Sequence, residues 1–420
     1  MPNATPLAGR TVSRAVLACA LLALTPAPAA AFGTLAGRGE IEVVESFPAE
    51  TLLDLPDLRQ AADVWPDMIA SATQTLDIEV FYFSENPGQD DALDRTLAAV
   101  EAAARRGVRV RALQDAGFDR TYPEIGARIG ALPGAQRRKL DARTLWGGVQ
   151  HAKLFVVDGT EFFLGSQNWD WRALAHIREA GVRVRSARLA EAIERIFALD
   201  WALAAGEAEP VAATPAACAD SLVTAAGDTV SALLAASPAR ALPAGVPWDW
   251  PLLEAMIDSA HASVRLQLLS YDPSESGGGY WDDLDAALRR AAARGVRVQI
   301  LLSNWAKRQS SLPWILSLAA APNVAVRFTN IPPAAAGHIP YARVEHCKYL
   351  LADDRACWIG TANGSRDYFH SSRNVSLLVR GRSHNGVSVA LGALFARSWD
   401  GPYAEVVSSC GLYTPPRIGE

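Results

Sequence analysis

The 420-residue chain has no excess of basic charge: 40 lysines and arginines stand against 45 acids, a formal net charge of −5. Such a surface is not drawn as a whole to polyanions, so an anionic ligand has to be held by a local basic site. The run Arg137-Arg138-Lys139 reads first as a solvated face. The five cysteines include no C-x-x-C pair, which removes the usual signal for structural zinc. No apolar run reaches the ~20 residues that a membrane-spanning helix needs. Nor is there a helical pattern rich in Lys and Arg that would lie along a bilayer. Half of the residues are hydrophobic and 20% are charged, which excludes wholesale disorder. The length favours two compact halves over one.

The N-terminus reads as separate from the fold. Arg10 and Arg14 precede the apolar run Ala15 to Leu24, which Thr25-Pro26-Ala27-Pro28 and then Ala29-Ala30-Ala31 follow. A charged segment, a short apolar segment and an A-x-A site predict a secretory signal over residues 1–31, cleaved before Phe32, and therefore a periplasmic or released protein. Cleavage removes two arginines and takes the charge to about −7. Cys218, Cys347, Cys357 and Cys410 would remain. Export permits disulfides, and Cys218 or Cys357 with Cys410 are the candidate pairs.

What the chain does have is one polar cassette written twice. His151-Ala-Lys153-Leu-Phe-Val-Val-Asp158 is followed by Gly165-Ser166-Gln-Asn168, and His346-Cys-Lys348-Tyr-Leu-Leu-Ala-Asp353 by Gly360-Thr361-Ala-Asn363. Every member of the second set lies 195 residues after its counterpart. The surroundings repeat as well: Met68-Ile-Ala-Ser-Ala72 matches Met256-Ile-Asp-Ser-Ala260, and Gly107-Val-Arg-Val110 matches Gly295-Val-Arg-Val298. A period near half the chain predicts two homologous α/β domains, with mixed sheets flanked by helices and a site at their pseudo-two-fold interface. The expected boundaries are 32–205 and 248–420. The Ala-, Pro- and Ser-rich span 206–247 is expected to be a connection with at most one short helix. Strands are expected over residues 42–46, 76–83 and 108–113, and helices over 58–73 and 91–105.

Each cassette is expected at a strand–turn–strand, with His151 and Lys153 on one face of an extended segment. Two such halves brought together give two imidazoles ringed by Lys153 and Lys348, the hydroxyls of Ser166 and Thr361, and the amides of Asn168 and Asn363. That ring suits the non-bridging oxygens of a phosphate. One imidazole can attack phosphorus while the other protonates the leaving oxygen. The two lysines supply positive charge, so no metal and no other cofactor is expected. Asp158 and Asp353 complete the cassettes and are better placed at their turns to support them than to touch phosphorus. Glu179 has Asn374 as its counterpart at 195 residues. A carboxylate on one imidazole only raises that ring's basicity and fixes its tautomer, which favours His151 as nucleophile and His346 as acid/base. Trp169, Trp171, Trp281 and Trp305 are candidates for stacking on a base and equally for packing.

With these residues in hand, the chain resembles the phospholipase D superfamily, whose mark is the doubled HKD motif. It is most similar to the branch of mammalian lysosomal phospholipase-D-like 5′-exonucleases. The resemblance rests on the first cassette, Asp170-Trp-Arg172, Glu179-Ala-Gly-Val182, Ile339-Pro-Tyr-Ala-Arg-Val344 and Ser398-Trp-Asp-Gly-Pro-Tyr403, and it runs from about Val43 to Tyr403. It implies a two-domain α/β phosphodiesterase working without metal through a phosphohistidine on His151, with single-stranded nucleic acid as substrate. Members of the branch are also linked to glycerophospholipid transphosphatidylation, so a phospholipid substrate is the alternative. A catalytically inactive binding module is a third reading, against which both intact cassettes stand. The chain departs from the branch in its cleavable N-terminus, in Glu345 and Cys347 around His346, and in its cysteine pattern.

Overall fold

The computed structural model describes residues 39–86, 91–208, 214–275, 279–407 and 411–412. The expected signal segment and Cys410 lie outside the described residues. Cys218, Cys347 and Cys357 are buried free thiols.

In the first half, the helix Asp94–Arg105 buries Leu97, Val100, Ala103 and Ala104, the three-and-four spacing of a helix with one apolar stripe. It stops at Gly107, whose φ of +92° is the left-handed turn that glycine adopts without steric cost. The chain then returns as the strand Arg109–Asp115, parallel to Thr75–Val80 with Leu76 opposite Val110. The second half repeats this unit. Asp283–Ala293 buries Leu284, Leu288, Ala291 and Ala292, Gly295 turns at φ +88°, and Arg297–Ser303 runs parallel to Ser263–Leu268 with Val264 opposite Val298.

Each half-sheet has three parallel strands followed by antiparallel strands toward the middle, and in the second half the short strand Ala404–Val406 adds antiparallel to the outer edge of Val324–Thr329, so the sheet is mixed. In the first half, Gln136–Leu140, Arg109–Asp115 and Thr75–Val80 are followed by Leu154–Val157, Glu161–Gly165, Glu179–Arg185 and Gly39–Ser46. The second half runs Val324–Thr329, Arg297–Ser303, Ser263–Leu268, Tyr349–Ala352, Ala356–Gly360, Asn374–Arg380 and Thr229–Ser237. The expected helix over 58–73 is shorter, Ala61–Ala70, and the strand expected over 76–83 ends at Val80.

The span 206–247 is not the plain connection expected of it. It carries the strands Ala219–Thr224 and Thr229–Ser237, paired antiparallel as a hairpin. The first pairs with Gly39–Ser46 through Gly39 and Leu222, and the second pairs with Asn374–Arg380 from Ser231 to Ser237. Ser46 lies opposite Glu179, and Ser237 lies opposite Asn374. Thr229–Ser237 therefore takes the place in the second half that Gly39–Ser46 holds in the first. The hairpin joins the two half-sheets into one. Their shared core includes Leu154, Ile193, Leu222, Leu234, Leu377 and Leu391.

Trp169 and Trp281, two of the candidate stacking residues, are core side chains instead. Trp169 is 1% exposed and stacks on Trp65 at 5.4 Å. Trp281 packs edge-on against Trp250 at 4.9 Å. A buried aromatic of this kind costs about 3–5 kcal/mol to truncate, which fixes them as packing residues.

Candidate active site

Both cassettes begin in extended chain just before a hairpin, Leu154–Val157 with Glu161–Gly165 and Tyr349–Ala352 with Ala356–Gly360. At each tight turn stands an aspartate with left-handed backbone, Asp158 at φ +49° and Asp353 at φ +53°. Their carboxylates do not join the histidines. Asp158 accepts from the backbone N–H groups of Thr73, Gln74 and Thr75 and from the Thr73 hydroxyl, all at 2.8 Å. Asp353 accepts from the N–H groups of His261, Ala262 and Ser263. These bonds hold both carboxyls below the ordinary carboxylate range although partial burial opposes them. Both aspartates thus leave the catalytic set: each pins the loop entering the first parallel strand of its half.

The histidines are brought together by exchange between the halves. The His151 N–H donates to the Arg373 carbonyl at 2.9 Å, and the His346 N–H to the Arg178 carbonyl at 2.9 Å. Arg178 and Arg373 are wholly buried. Arg373 makes a bidentate pair with Asp200 at 2.6 and 2.7 Å, and Arg178 pairs with Glu45. At Gly165 a Cβ would meet the Gly181 Cα at 2.7 Å, and at Gly360 it would meet the Ser376 Cβ at 2.7 Å. Only glycine admits the close strand that brings Glu179 and Asn374 inward.

Each imidazole takes its partner from the other half, and the two partners differ. His346 Nδ1 lies 2.8 Å from Glu179 Oε2. His151 Nδ1 lies 3.1 Å from Asn374 Oδ1. The orientation of Asn374 is fixed: the Thr361 hydroxyl donates to its Oδ1 at 2.8 Å, and its Nδ2 donates to the Tyr368 carbonyl at 2.7 Å. An accepting amide oxygen therefore faces His151, so Nδ1 carries the proton and Nε2 keeps a lone pair. Ser166, the counterpart of Thr361, accepts from the Ala180 N–H at 3.0 Å and donates to its carbonyl at 3.1 Å.

The electrostatics are those of an anion site. Lys153 Nζ donates to the His151 carbonyl at 2.8 Å and Lys348 Nζ to the His346 carbonyl at 2.7 Å. Both lysines are buried. Burial holds Lys348 down to about 8, with Glu179 opposing the shift, while burial and then Lys348 push Lys153 well below its usual value. Burial and the lysine charges also hold both imidazoles below their ordinary range. Burial drives Glu179 up to about 8, against the pull of the lysines. Glu179 Oε2 and His346 Nδ1 are thus joined by one hydrogen bond at 2.8 Å. Asn168 Oδ1, both amide atoms of Asn363 and Glu179 Oε1 are buried without a hydrogen-bond partner. Such groups cost about 1–3 kcal/mol each when left unpaired; a phosphate oxygen would pair the one donor among them, Asn363 Nδ2, whereas the three oxygens ask for a donor such as a hydroxyl or water. Among the described residues, no group of three or more His, Cys, Asp or Glu is placed to hold a metal ion.

The structure thus brings together His151, Lys153, Glu179, His346 and Lys348, with Ser166 beside Glu179 and Thr361 beside Asn374, leaves Asn168 and Asn363 as buried amides that follow the two hairpins, and removes Asp158 and Asp353 from the group. Asn374 belongs to the site as the partner of His151, as its register with Glu179 foreshadows. Sequence reasoning missed the aromatic side chains beside His151. Phe81 lies 4.8 Å and Tyr368 4.9 Å from its ring, both edge-on. Phe81 follows the carboxyl end of the parallel strand Thr75–Val80, where ligands of open α/β sheets gather, and that rule was the available signal.

The model of the PLD-like domain described as "Cardiolipin synthase, PLD-like domain" matches residues 66–201 and again 253–399. The 5′-3′ exonuclease PLD3 of Pongo abelii is 33% identical over 404 residues, covering 87% of this chain and 80% of that protein. Phospholipase D Z of Dictyostelium discoideum is 29% identical, with 88% of this chain and 92% of that protein covered. The phosphatidylserine synthase of Haemophilus influenzae shares the fold, with a TM-score of 0.57 at 11% identity over 82% of this chain and 84% of that one. The chain belongs to the phospholipase D superfamily, a family of phosphodiesterases whose mark is the paired cassette described above. Within it, the chain falls in the branch of PLD3.

Proposed function

We propose that this phosphodiesterase works through a phosphohistidine on His151 and that its substrate is single-stranded nucleic acid. The observation that carries the mechanism is the unequal pairing of the imidazoles: an amide oxygen on His151, a carboxylate on His346. In the first step, the His151 Nε2 lone pair attacks phosphorus. The bond to the leaving oxygen breaks, and that oxygen takes the proton of His346. Lys153 and Lys348 hold the non-bridging oxygens, and the amides of Asn168 and Asn363 contribute at the same centre. In the second step, water attacks phosphorus as His346 takes its proton, and the P–N bond breaks to restore neutral His151.

The nucleic-acid reading is supported by the 5′-3′ exonuclease relatives and by the aromatic surroundings of His151. The phospholipase D relatives support the second reading, a phospholipase D or phosphatidyl transferase with the same histidines in the same roles. Export is inferred from the residue pattern of 1–31. No helix among the described residues is long and apolar enough to cross a membrane. The test offers the purified protein a 5′-hydroxyl single-stranded oligonucleotide and phosphatidylglycerol liposomes side by side, at pH 5 and pH 7. Shortening of the oligonucleotide with intact lipid is expected. Head-group release or exchange with an intact oligonucleotide would move the protein to the lipid reading.

A further inference from the structure

The two halves repeat their backbone around the site, but they do not repeat the side chains that flank it. Phe81 stands against the His151 ring, and Tyr82, Phe118 and Tyr122 continue from it, all four half-buried. Phe118 lies 4.1 Å from Phe81 and stacks on Tyr82 at 5.5 Å, and Tyr82 lies 5.5 Å from Tyr122. At the spacing of 188 residues, Phe81, Tyr82 and Phe118 are matched by Leu269, Ser270 and Ala306. No ring contact to His346 is found among the described residues.

This wall is fixed to the nucleophile. Phe81 and Phe118 follow the carboxyl ends of adjacent parallel strands, Thr75–Val80 and Arg109–Asp115. Asp115 links them to the cassette. Its Oδ1 accepts from the N–H groups of Gly117 and Phe118 at 2.8 and 3.1 Å, and its Oδ2 accepts from the Gln150 N–H at 2.9 Å. The Tyr82 hydroxyl donates to Asp170 at 2.8 Å, which holds that ring in place. Core packing alone does not ask for half-buried rings tied to one histidine of a symmetric pair. An acyl chain asks for an aliphatic groove, whereas these four side chains are aromatic rings.

We propose that Phe81, Tyr82, Phe118 and Tyr122 form a stacking wall for one nucleobase beside the scissile phosphate, with Phe118 as the principal face. This rests on the nucleic-acid reading and names the feature of the substrate that the site recognises. A duplicated phosphate centre by itself reads only phosphate, so one aromatic wall supplies the asymmetry that a nucleotide needs.

The test uses thymidylyl-thymidine, which has a single scissile bond, and its two analogues in which tetrahydrofuran replaces one base or the other. The wild type is expected to lose tenfold or more in kcat/KM on one of the two analogues, the range of base–aromatic stacking (roughly 1–3 kcal/mol per base). Phe118→Leu keeps apolar volume and loses the aromatic face. It is expected to bring the intact dinucleotide down to that analogue while cleaving the analogue as the wild type does, which also shows an intact catalytic centre. Phe118→Tyr should restore discrimination. If Phe118→Leu does not fold, Tyr122→Leu is expected to show the same loss of discrimination to a smaller degree. Equal cleavage of all three substrates by the wild type, or discrimination retained in the leucine variants, overturns the wall. If the wild type cleaves none of them and turns over phosphatidylglycerol, the nuclease reading fails and the wall with it.

Discussion

Glu179→Gln removes the titratable carboxyl from beside His346 and leaves the shape of the centre nearly unchanged. The glutamine oxygen still accepts from His346 Nδ1 at the 2.8 Å position that Glu179 Oε2 now holds. A hydrogen bond to a charged acceptor contributes about 1.5–3 kcal/mol and a neutral one about 0.5–1.5 kcal/mol. The difference, about 1–1.5 kcal/mol, is close to one pKa unit. Burial, Lys348 and Lys153 already hold His346 low, so loss of the carboxylate lowers its proton affinity further. A general acid works only while protonated, so the alkaline limb of kcat should move about one unit toward acid, with roughly tenfold lower kcat above neutrality. The acid limb should stay in place. Asn374→Asp is the converse: a carboxylate on His151 stabilises its protonated, non-nucleophilic form, and the acid limb should move up by a similar amount. The assay is kcat against pH for both variants on one phosphodiester. An alkaline limb unmoved in Glu179→Gln, or movement of its acid limb instead, would refute the assignment of roles.

The other expectations follow from the same contacts. Asp158→Ala removes the acceptor of three backbone N–H groups and one hydroxyl. It should cost about 2–3 kcal/mol in urea denaturation while the folded fraction keeps its kcat; a large loss of kcat at full stability would return Asp158 to the chemistry. Because the folded Asp158 carboxyl is depressed, its contribution is present above the unfolded carboxylate pKa and is lost as pH falls through the folded one. Arg373→Ala strands the buried carboxylate of Asp200 and should cost about 3–5 kcal/mol, measured as the shift in urea midpoint at constant slope. Full turnover is expected in excess EDTA, since Lys153 and Lys348 supply the positive charge; loss of activity restored by a divalent cation would contradict that.

The cassettes were legible because their spacing is local and repeated, and because hairpin chemistry is written in the turns Asp158-Gly159 and Asp353-Asp354. The pairing of Glu179 with His346 rather than His151 was not, because it depends on strands exchanged between halves. The asymmetry between Glu179 and Asn374 could be read, but which ring felt it could not. The hairpin over 219–237 was hidden by its composition. Thr229–Ser237 alternates exposed and buried residues at its start, but Ala and Ser carry little strand signal and resemble a linker. The supporting place of the turn aspartates could be read from the turns, but not what they hold, because the loop N–H groups they accept from are more than eighty residues away. Trp169 and Trp281 were plausible stackers by residue type, yet size sends such side chains to the core. Trp171 and Trp305 stay half-buried, and so do Phe81 and Phe118, which stand where two parallel strands end.

The most direct test of the central claim is the identity of the phosphorylated residue in the wild-type protein. A single turnover with ³²P-labelled substrate is quenched in alkali, where phosphohistidine survives, and the labelled peptide is mapped. Label on the peptide containing His151 is the predicted result. Label on His346 would reverse nucleophile and acid and contradict the account built on Glu179.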